Sequence, residues 1–440
     1  MKLAERLDRL PLLPFHWKLL VLCGAGWILD AVDTGLVGFV VADLLPRWGM
    51  SKTAAGLIIS SGMCGLFIGS VLAGWLADRL GRRPLFIATP LLFAAASLLC
   101  ASAWGPASLA VFRFLLGLAL GGEFPVGAAL MTEYAPARAR GRLMVLLDSF
   151  WAYGSVLAAL SASFLLPRFG WRATFLINAA PAIAVAISRV SVPESVRYLV
   201  LRGKTGAATA TVAALERRAG IGAGSQAVDE GIEVLPAPRL IEVLQHGAAL
   251  NTLRLWVIWF SMTFVYVGLS SWLPAMLVDA GFELSRSFRL VLLITLAQIP
   301  GYLTAALVVE RWGRRWSLGV FTLGAGVCSL LFARAAGVGG ILWWGSWMAY
   351  FNMAAWGVLF AYTAEQFATR RRATGTGSCI AMGRFGGMVT PLATAALLED
   401  PAAGRTAALG LFGLLLLVAC LGAWLGRETG GQSLETLHAP

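Results

Sequence analysis

Six ionisable side chains stand inside long apolar runs and away from the ends of those runs: Asp30, Asp33, Arg113, Glu123, Asp148 and Arg384. On insertion scales each costs about 2.5–3.5 kcal/mol at the centre of a membrane-spanning helix, so each is a candidate for function. An aspartate and an arginine at similar depth suit proton coupling. Burial favours the neutral carboxyl and a neighbouring guanidinium favours the carboxylate, so changing their separation loads or releases a proton. At about 1.5 Å per residue, Asp33 lies roughly 22 Å and Arg113 roughly 27 Å from the ends of their runs that are read as cytoplasmic. Asp30, one turn earlier, can share the proton. The competing reading of Asp33 and Arg113 is a permanent pair stapling two helices. Glu123, two residues before Pro125, fits a proton carrier and an interior brace equally.

A second group suits recognition. Counted the same way, Trp151, Trp356 and Arg384 lie roughly 12, 9 and 14 Å along their runs. Two indoles and one guanidinium at similar depth suit a flat aromatic anion, with its ring between the indoles and its carboxylate on the planar fork. Nicotinate has that shape and charge. Ser149, Tyr153, Tyr266, Gln298, Asn352 and Tyr362 are further candidates for a hydrogen bond to ring nitrogen or carboxylate. Among 17 tryptophans, lipid-facing or packing roles compete with this reading, and Trp17, Trp48 and Trp171 read as interface anchors.

Only a membrane bundle can position these groups. The chain of 440 residues is 58% hydrophobic and 13% charged, with mean hydropathy +0.75, which excludes an ordinary soluble domain. Twelve segments are long and apolar enough to span as helices: about 18–43, 54–77, 84–104, 106–131, 143–166, 171–192, 253–278, 287–309, 316–334, 340–362, 375–398 and 407–425. Alternating barrel strands are absent from the pattern, so the expected class is an all-α membrane protein.

Loops between the segments repeat. Gly74-Trp75-Leu76-Ala77-Asp78-Arg79-Leu80-Gly81-Arg82-Arg83 returns in part as Glu310-Arg311-Trp312-Gly313-Arg314-Arg315, and Glu133 to Gly141 returns as Glu365 to Ala373. Asp78 to Glu310 and Glu133 to Glu365 both span 232 positions. Two copies of one unit follow: a six-helix half over 1–192, a linker with short helices over 193–250, and a second half over 251–440. Gly74 permits close helix approach, and Asp78 can pair with arginines or with a helix N-terminus of the other half. With Arg79, Gly81, Arg82, Glu310 and Arg314, it forms a candidate gating set that latches when the cytoplasmic side shuts.

Lys and Arg concentrate on the side that an inside N-terminus assigns to the cytoplasm, so both termini are expected there. The net charge of +12 then reads as topology and contact with anionic lipid, without a nucleic-acid partner. Met1–Trp17 reads as a cytoplasmic lead-in with Leu3, Leu7 and Leu10 on one face and no cleavable signal. The six cysteines fall in six different segments without metal spacing, and no histidine lies within a span, so no metal, cofactor or enzymatic nucleophile is expected.

Four stretches carry a resemblance: the Gly74–Arg83 loop, Glu133–Gly141, Pro193-Glu194-Ser195-Val196-Arg197-Tyr198-Leu199, and Arg427-Glu428-Thr429. Together they resemble the major facilitator superfamily over nearly the whole chain. Leu147–Ala152, Gly121–Val126 and Ala354–Thr363 resemble, more narrowly, the bacterial niacin transporters, relatives of the synaptic-vesicle transporter-like proteins. Asp33-Thr34 and Arg113 resemble the aspartate and arginine that couple proton movement in sugar porters. The resemblance implies an inner-membrane transporter of two pseudo-symmetric six-helix halves, a monomer, importing a small aromatic carboxylate with protons by alternating access. Other aromatic acids and sugars are the alternatives, but the seventh segment, Leu255–Tyr266, offers a polyol no Asn or Gln.

Overall fold

The computed structural model describes residues 3–221, 244, 249–367, 371–400 and 403–429, and holds no strand among them. A short α1 (Leu3–Asp8) precedes α2 (Pro14–Trp48), α3 (Lys52–Leu80), α4 (Arg82–Ala101), α5 (Pro106–Leu120), α6 (Glu123–Tyr134), α7 (Ala137–Phe164) and α8 (Leu166–Arg189). Two short helices, α9 (Val196–Leu201) and α10 (Thr205–Arg218), begin the connection. The second set is α11 (Ala249–Asp279), α12 (Leu284–Leu296), α13 (Gln298–Trp312), α14 (Arg314–Ala333), α15 (Gly337–Glu365), α16 (Arg372–Leu398) and α17 (Gly404–Trp424). Most of the expected linker, including Pro236 and Pro238, lies outside the described residues.

With no water in the bilayer core, each backbone amide must be satisfied within its own segment, and helices do this. Counting α5 with α6 and α12 with α13 as single rods, nine helices among the described residues are long and apolar enough to cross a membrane. The other long helices, α2, α15 and α16, have 35, 29 and 27 residues, ample for the roughly 20 that a crossing needs. Large apolar side chains such as Trp104, Leu307 and Leu425 are exposed around the bundle, as a lipid-facing belt requires. The all-α fold with two sets of six long helices agrees with the sequence reading.

Packing repeats with the sequence. In the first set α3 packs on α5, α2 on α7 and α4 on α8; in the second α13 packs on α15, α11 on α16 and α14 on α17. The two sets meet along three seams, α2 with α11, α3 with α16, and α7 with α12 and α13. One end of the bundle is shut across these seams. Lys52 Nζ contacts Asp279 Oδ2 and the Leu398 carbonyl, each at 2.7 Å, and Thr53 Oγ1 donates to Glu399 Oε1 at 3.0 Å. Nearby, α2 approaches α11 so closely at Gly38 that a Cβ there would overlap the Ser270 and Ser271 carbonyl groups.

The Leu3, Leu7 and Leu10 face is buried, in one cluster with Leu199, Val212 and Leu215 of α9 and α10. Arg6 meets Glu216 at 2.5 Å with both side chains buried, so the start of the connection is fastened to the first set.

Candidate functional site

The helical period decides which side chains share a cavity between the two sets. On α7 Asp148 and Trp151 are three apart; on α11 Trp259, Thr263 and Tyr266 keep one face; on α15 so do Met353, Trp356 and Phe360. Asp30 and Thr34 on α2, with Arg384 on α16, join them, and all of these line the cavity. Trp151, Trp356, Arg384, Tyr266 and Asp30 are thus brought together from five helices and both halves.

The cavity is aromatic with a few directed polar groups. The Trp151 and Trp356 rings each lie beside Tyr266, with centroids 6.0 and 6.3 Å away. Trp151 Nε1 donates to the Tyr266 hydroxyl at 2.6 Å, and Ser155 Oγ shares that hydroxyl at 3.1 Å, which fixes the first indole. Trp356 Nε1 is buried without a hydrogen-bond partner. Arg384 Nη1 donates to the Leu66 carbonyl at 3.3 Å, and among the described residues the guanidinium forms no ion pair. Asp30, from the other half, lies within its electrostatic reach. A cavity of this kind offers π-faces for a flat ring and unspent donors for an anion.

Asp33 turns away toward α5. Arg113 Nη1 meets Asp33 Oδ1 at 2.5 Å, with side-chain exposures of 2% and 5%, and Gly62 leaves room for the guanidinium, whose Nη2 would lie 3.0 Å from a Cβ there. Glu123 has a different environment. It holds Arg189 through two bonds, 2.9 and 2.8 Å, and accepts from Thr89 Oγ1 at 2.6 Å. Arg189 is completed by the Phe86 and Leu22 carbonyls. Glu123 is therefore held in a buried ion pair in this structure, by a partner that sequence reasoning missed because Arg189 lies at a segment's end.

The family described as sugar (and other) transporter matches residues 29–439. The chain belongs to that family. It is a multi-pass membrane transporter of the major facilitator type and not an enzyme. It is 40% identical to the niacin transporter NiaP of Acinetobacter baylyi, over 99% of this chain and all of that one. A gallate transporter of Pseudomonas putida is 30% identical, over 94% of this chain and 91% of the relative. In fold, the chain superposes on the partially occluded inward open conformation of the xylose transporter XylE from E. coli with a TM-score of 0.76, 16% identity and coverage of 95% and 99% of the two chains.

The family's repeated loops form two matching clusters. Gly81 ends α3 at φ 106° and Gly313 ends α13 at φ 83°, a left-handed region that favours glycine. The helices that follow start with unpaired amides. Glu194 accepts from the Arg82 and Arg83 amides at 3.0 and 3.1 Å, and Glu428 accepts from those of Arg314 and Arg315 at 2.8 and 3.1 Å. Arg82 pairs with Glu133 at 3.0 Å and Arg314 with Glu365 at 3.4 Å. Ser195 and Thr429 donate to the same two glutamates. Each cluster draws on its own half. The carboxylate at the helix N-terminus is Glu194, not Asp78, because Asp78 precedes the turn and is exposed; its carbonyl accepts from Arg202 at 3.2 Å. Arg79 lies over Trp75, 3.9 Å from the ring centroid. A Cβ on Gly74 would meet nothing within 4 Å, so close packing is not its role in this arrangement. The Glu310 side chain lies outside the described residues.

Five other candidates stand elsewhere. Tyr153 and Ser149 are each two residues from Trp151, about 200° round the helix; Tyr153 is 48% exposed and Ser149 Oγ donates to the Leu146 carbonyl at 2.7 Å. Tyr362, six residues past Trp356, donates to the Ala423 carbonyl at 3.3 Å. Asn352 and Gln298 line a smaller adjoining cavity, with Asn352 Nδ2 and Gln298 Oε1 unpartnered. Sequence reasoning missed Trp259, Tyr302 and Phe360, which line the main cavity. The i, i+3, i+4, i+7 phase counted from Trp356 and Tyr266 would have found Phe360 and Trp259.

Proposed function

We propose that this transporter imports a small aromatic carboxylate, nicotinate first, together with protons. The observation that carries the reading is the cavity itself: two indoles from opposite halves and a guanidinium without an ion pair among the described residues. A planar ring can sit against Trp151 and Trp356 while Arg384 takes the carboxylate in a forked contact. The niacin and gallate transporters among its relatives support aromatic acids as the substrate class. Sugar is disfavoured because the main cavity is walled by aromatic and sulfur-bearing side chains, whereas a polyol calls for many carboxamides.

The Asp33–Arg113 pair supplies the proton step in this reading. Separation of the pair lets the carboxyl take a proton, and reformation expels it. Positive-inside bias assigns both termini to the cytoplasm of a cell membrane and makes the Lys52 end the outer one. The halves 1–192 and 251–440, joined by 193–250, then rock about the cavity as a monomer in lipid.

The test compares nicotinate with nicotinamide, which lacks the negative charge, by calorimetric binding to purified protein. Wild type should prefer the acid, Arg384→Lys should weaken acid binding, and Arg384→Gln should abolish the preference. An acid preference that survives in Arg384→Gln removes Arg384 from the site.

A further inference from the structure

Asp148 is an acid on the cavity wall that the proposed mechanism leaves unused. It stands on α7, one helical turn before Trp151. Its Oδ2 accepts from the Tyr302 hydroxyl of α13 at 3.0 Å, a contact that crosses between the halves. Among the described residues it forms no ion pair and has no second hydrogen-bond partner. Both side chains line the cavity. A carboxylate beside apolar and aromatic walls needs a cation or a proton, and the partner Asp148 has among the described residues is a hydroxyl.

Position makes this informative. Arg384 sits on the seam of α3 with α16, bonded to Leu66, whereas Asp148 and Tyr302 sit on the seam of α7 with α13. Neither α3 nor α16 packs closely on α7 or α13, so the two groups stand on separate walls of the cavity. An aromatic acid whose carboxylate lies on Arg384 therefore points the far side of its ring at Asp148. A benzene ring presents only C–H there. A pyridine ring presents a nitrogen that completes the carboxyl's hydrogen bonding.

Resting on the aromatic-acid reading, we infer that the Asp148–Tyr302 pair reads the ring nitrogen and selects pyridine carboxylates over benzoates. One proton is held between Asp148 Oδ1 and the nitrogen. A protonated carboxyl donates it to a neutral pyridine, or a pyridinium donates it to the carboxylate. No bond to carbon changes and no further reactant is required. Tyr302 orients the carboxyl by occupying the other oxygen. A site built to hydrogen-bond a group rejects the analogue lacking it, because its own polar atoms are then left unpaired.

The experiment measures nicotinate and benzoate dissociation constants for wild type, Asp148→Leu, Asp148→Asn and Tyr302→Phe, each checked for folding by its melting transition. Wild type should favour nicotinate by about ten- to a hundred-fold. Asp148→Leu, close in volume, should bring the ratio near one. Asp148→Asn, whose amide can still donate to the nitrogen, should keep part of the preference, and Tyr302→Phe should reduce it. If Asp148→Leu does not fold, the Tyr302→Phe ratio decides, and a ratio equal to wild type overturns the inference. Equal wild-type affinity for the two acids also overturns it while leaving the aromatic-acid reading intact, as does a preference that persists in Asp148→Leu. Wild type that binds neither acid overturns both.

Discussion

At the scale of single residues, the structure separates three acids that the sequence presents alike. Asp33 is spent on Arg113, Glu123 on Arg189, and Asp30 faces the cavity opposite Arg384. Breaking a buried pair by removing one partner typically costs about 3–5 kcal/mol, since the other charge is left uncompensated. Asp33→Asn keeps the shape and an acceptor for Arg113 but cannot carry the proton. Purified Asp33→Asn in liposomes should equilibrate nicotinate without accumulating it against a gradient, while binding stays within a few-fold of wild type. Concentrative uptake by this variant would transfer the proton to Asp30 or Glu123. The Asp33–Arg113 pairing was legible from depth and charge alone, whereas the Glu123–Arg189 pairing was not, because two helix ends had to be brought together.

At the scale of elements, helical phase does the sorting. One step of two residues on α7 separates Trp151, in the cavity, from Tyr153, which is exposed. The same scale governs closure. Gly38 is where α2 and α11 meet backbone to backbone toward the Lys52 end, and a β-branched residue there cannot be accommodated without shifting one helix. Gly38→Val should therefore wedge that end apart. Spin labels placed across it should report a longer distance than in otherwise identical wild type, and uptake should fall. An unchanged distance would mean that the seam yields by local adjustment and does not govern opening.

At the scale of the whole molecule, neither half contains the site. Trp151 belongs to the first half and Trp356 to the second, and both contact Tyr266 of the second. Taking base stacking on aromatic side chains as a guide, Trp151→Ala and Trp356→Ala should each weaken nicotinate binding by about 1–3 kcal/mol. The double variant should depart from the sum, because both rings contact one ligand. Affinity unchanged in both single variants would place the substrate outside this cavity.

Composition and run length were enough to establish a helical membrane protein, since a bilayer admits so few backbone arrangements. The two loop repeats were enough to divide it, since a shared offset is written in the chain. The pairing of Asp33 with Arg113 and the meeting of Trp151, Trp356 and Arg384 also followed from residue type and depth. What spacing could not decide was rotation about each helix axis and the choice of neighbour. Those depend on how helices far apart in the chain pack, and they alone sent Glu194 rather than Asp78 to the helix N-terminus, Tyr362 to Ala423, and Asp148 to Tyr302.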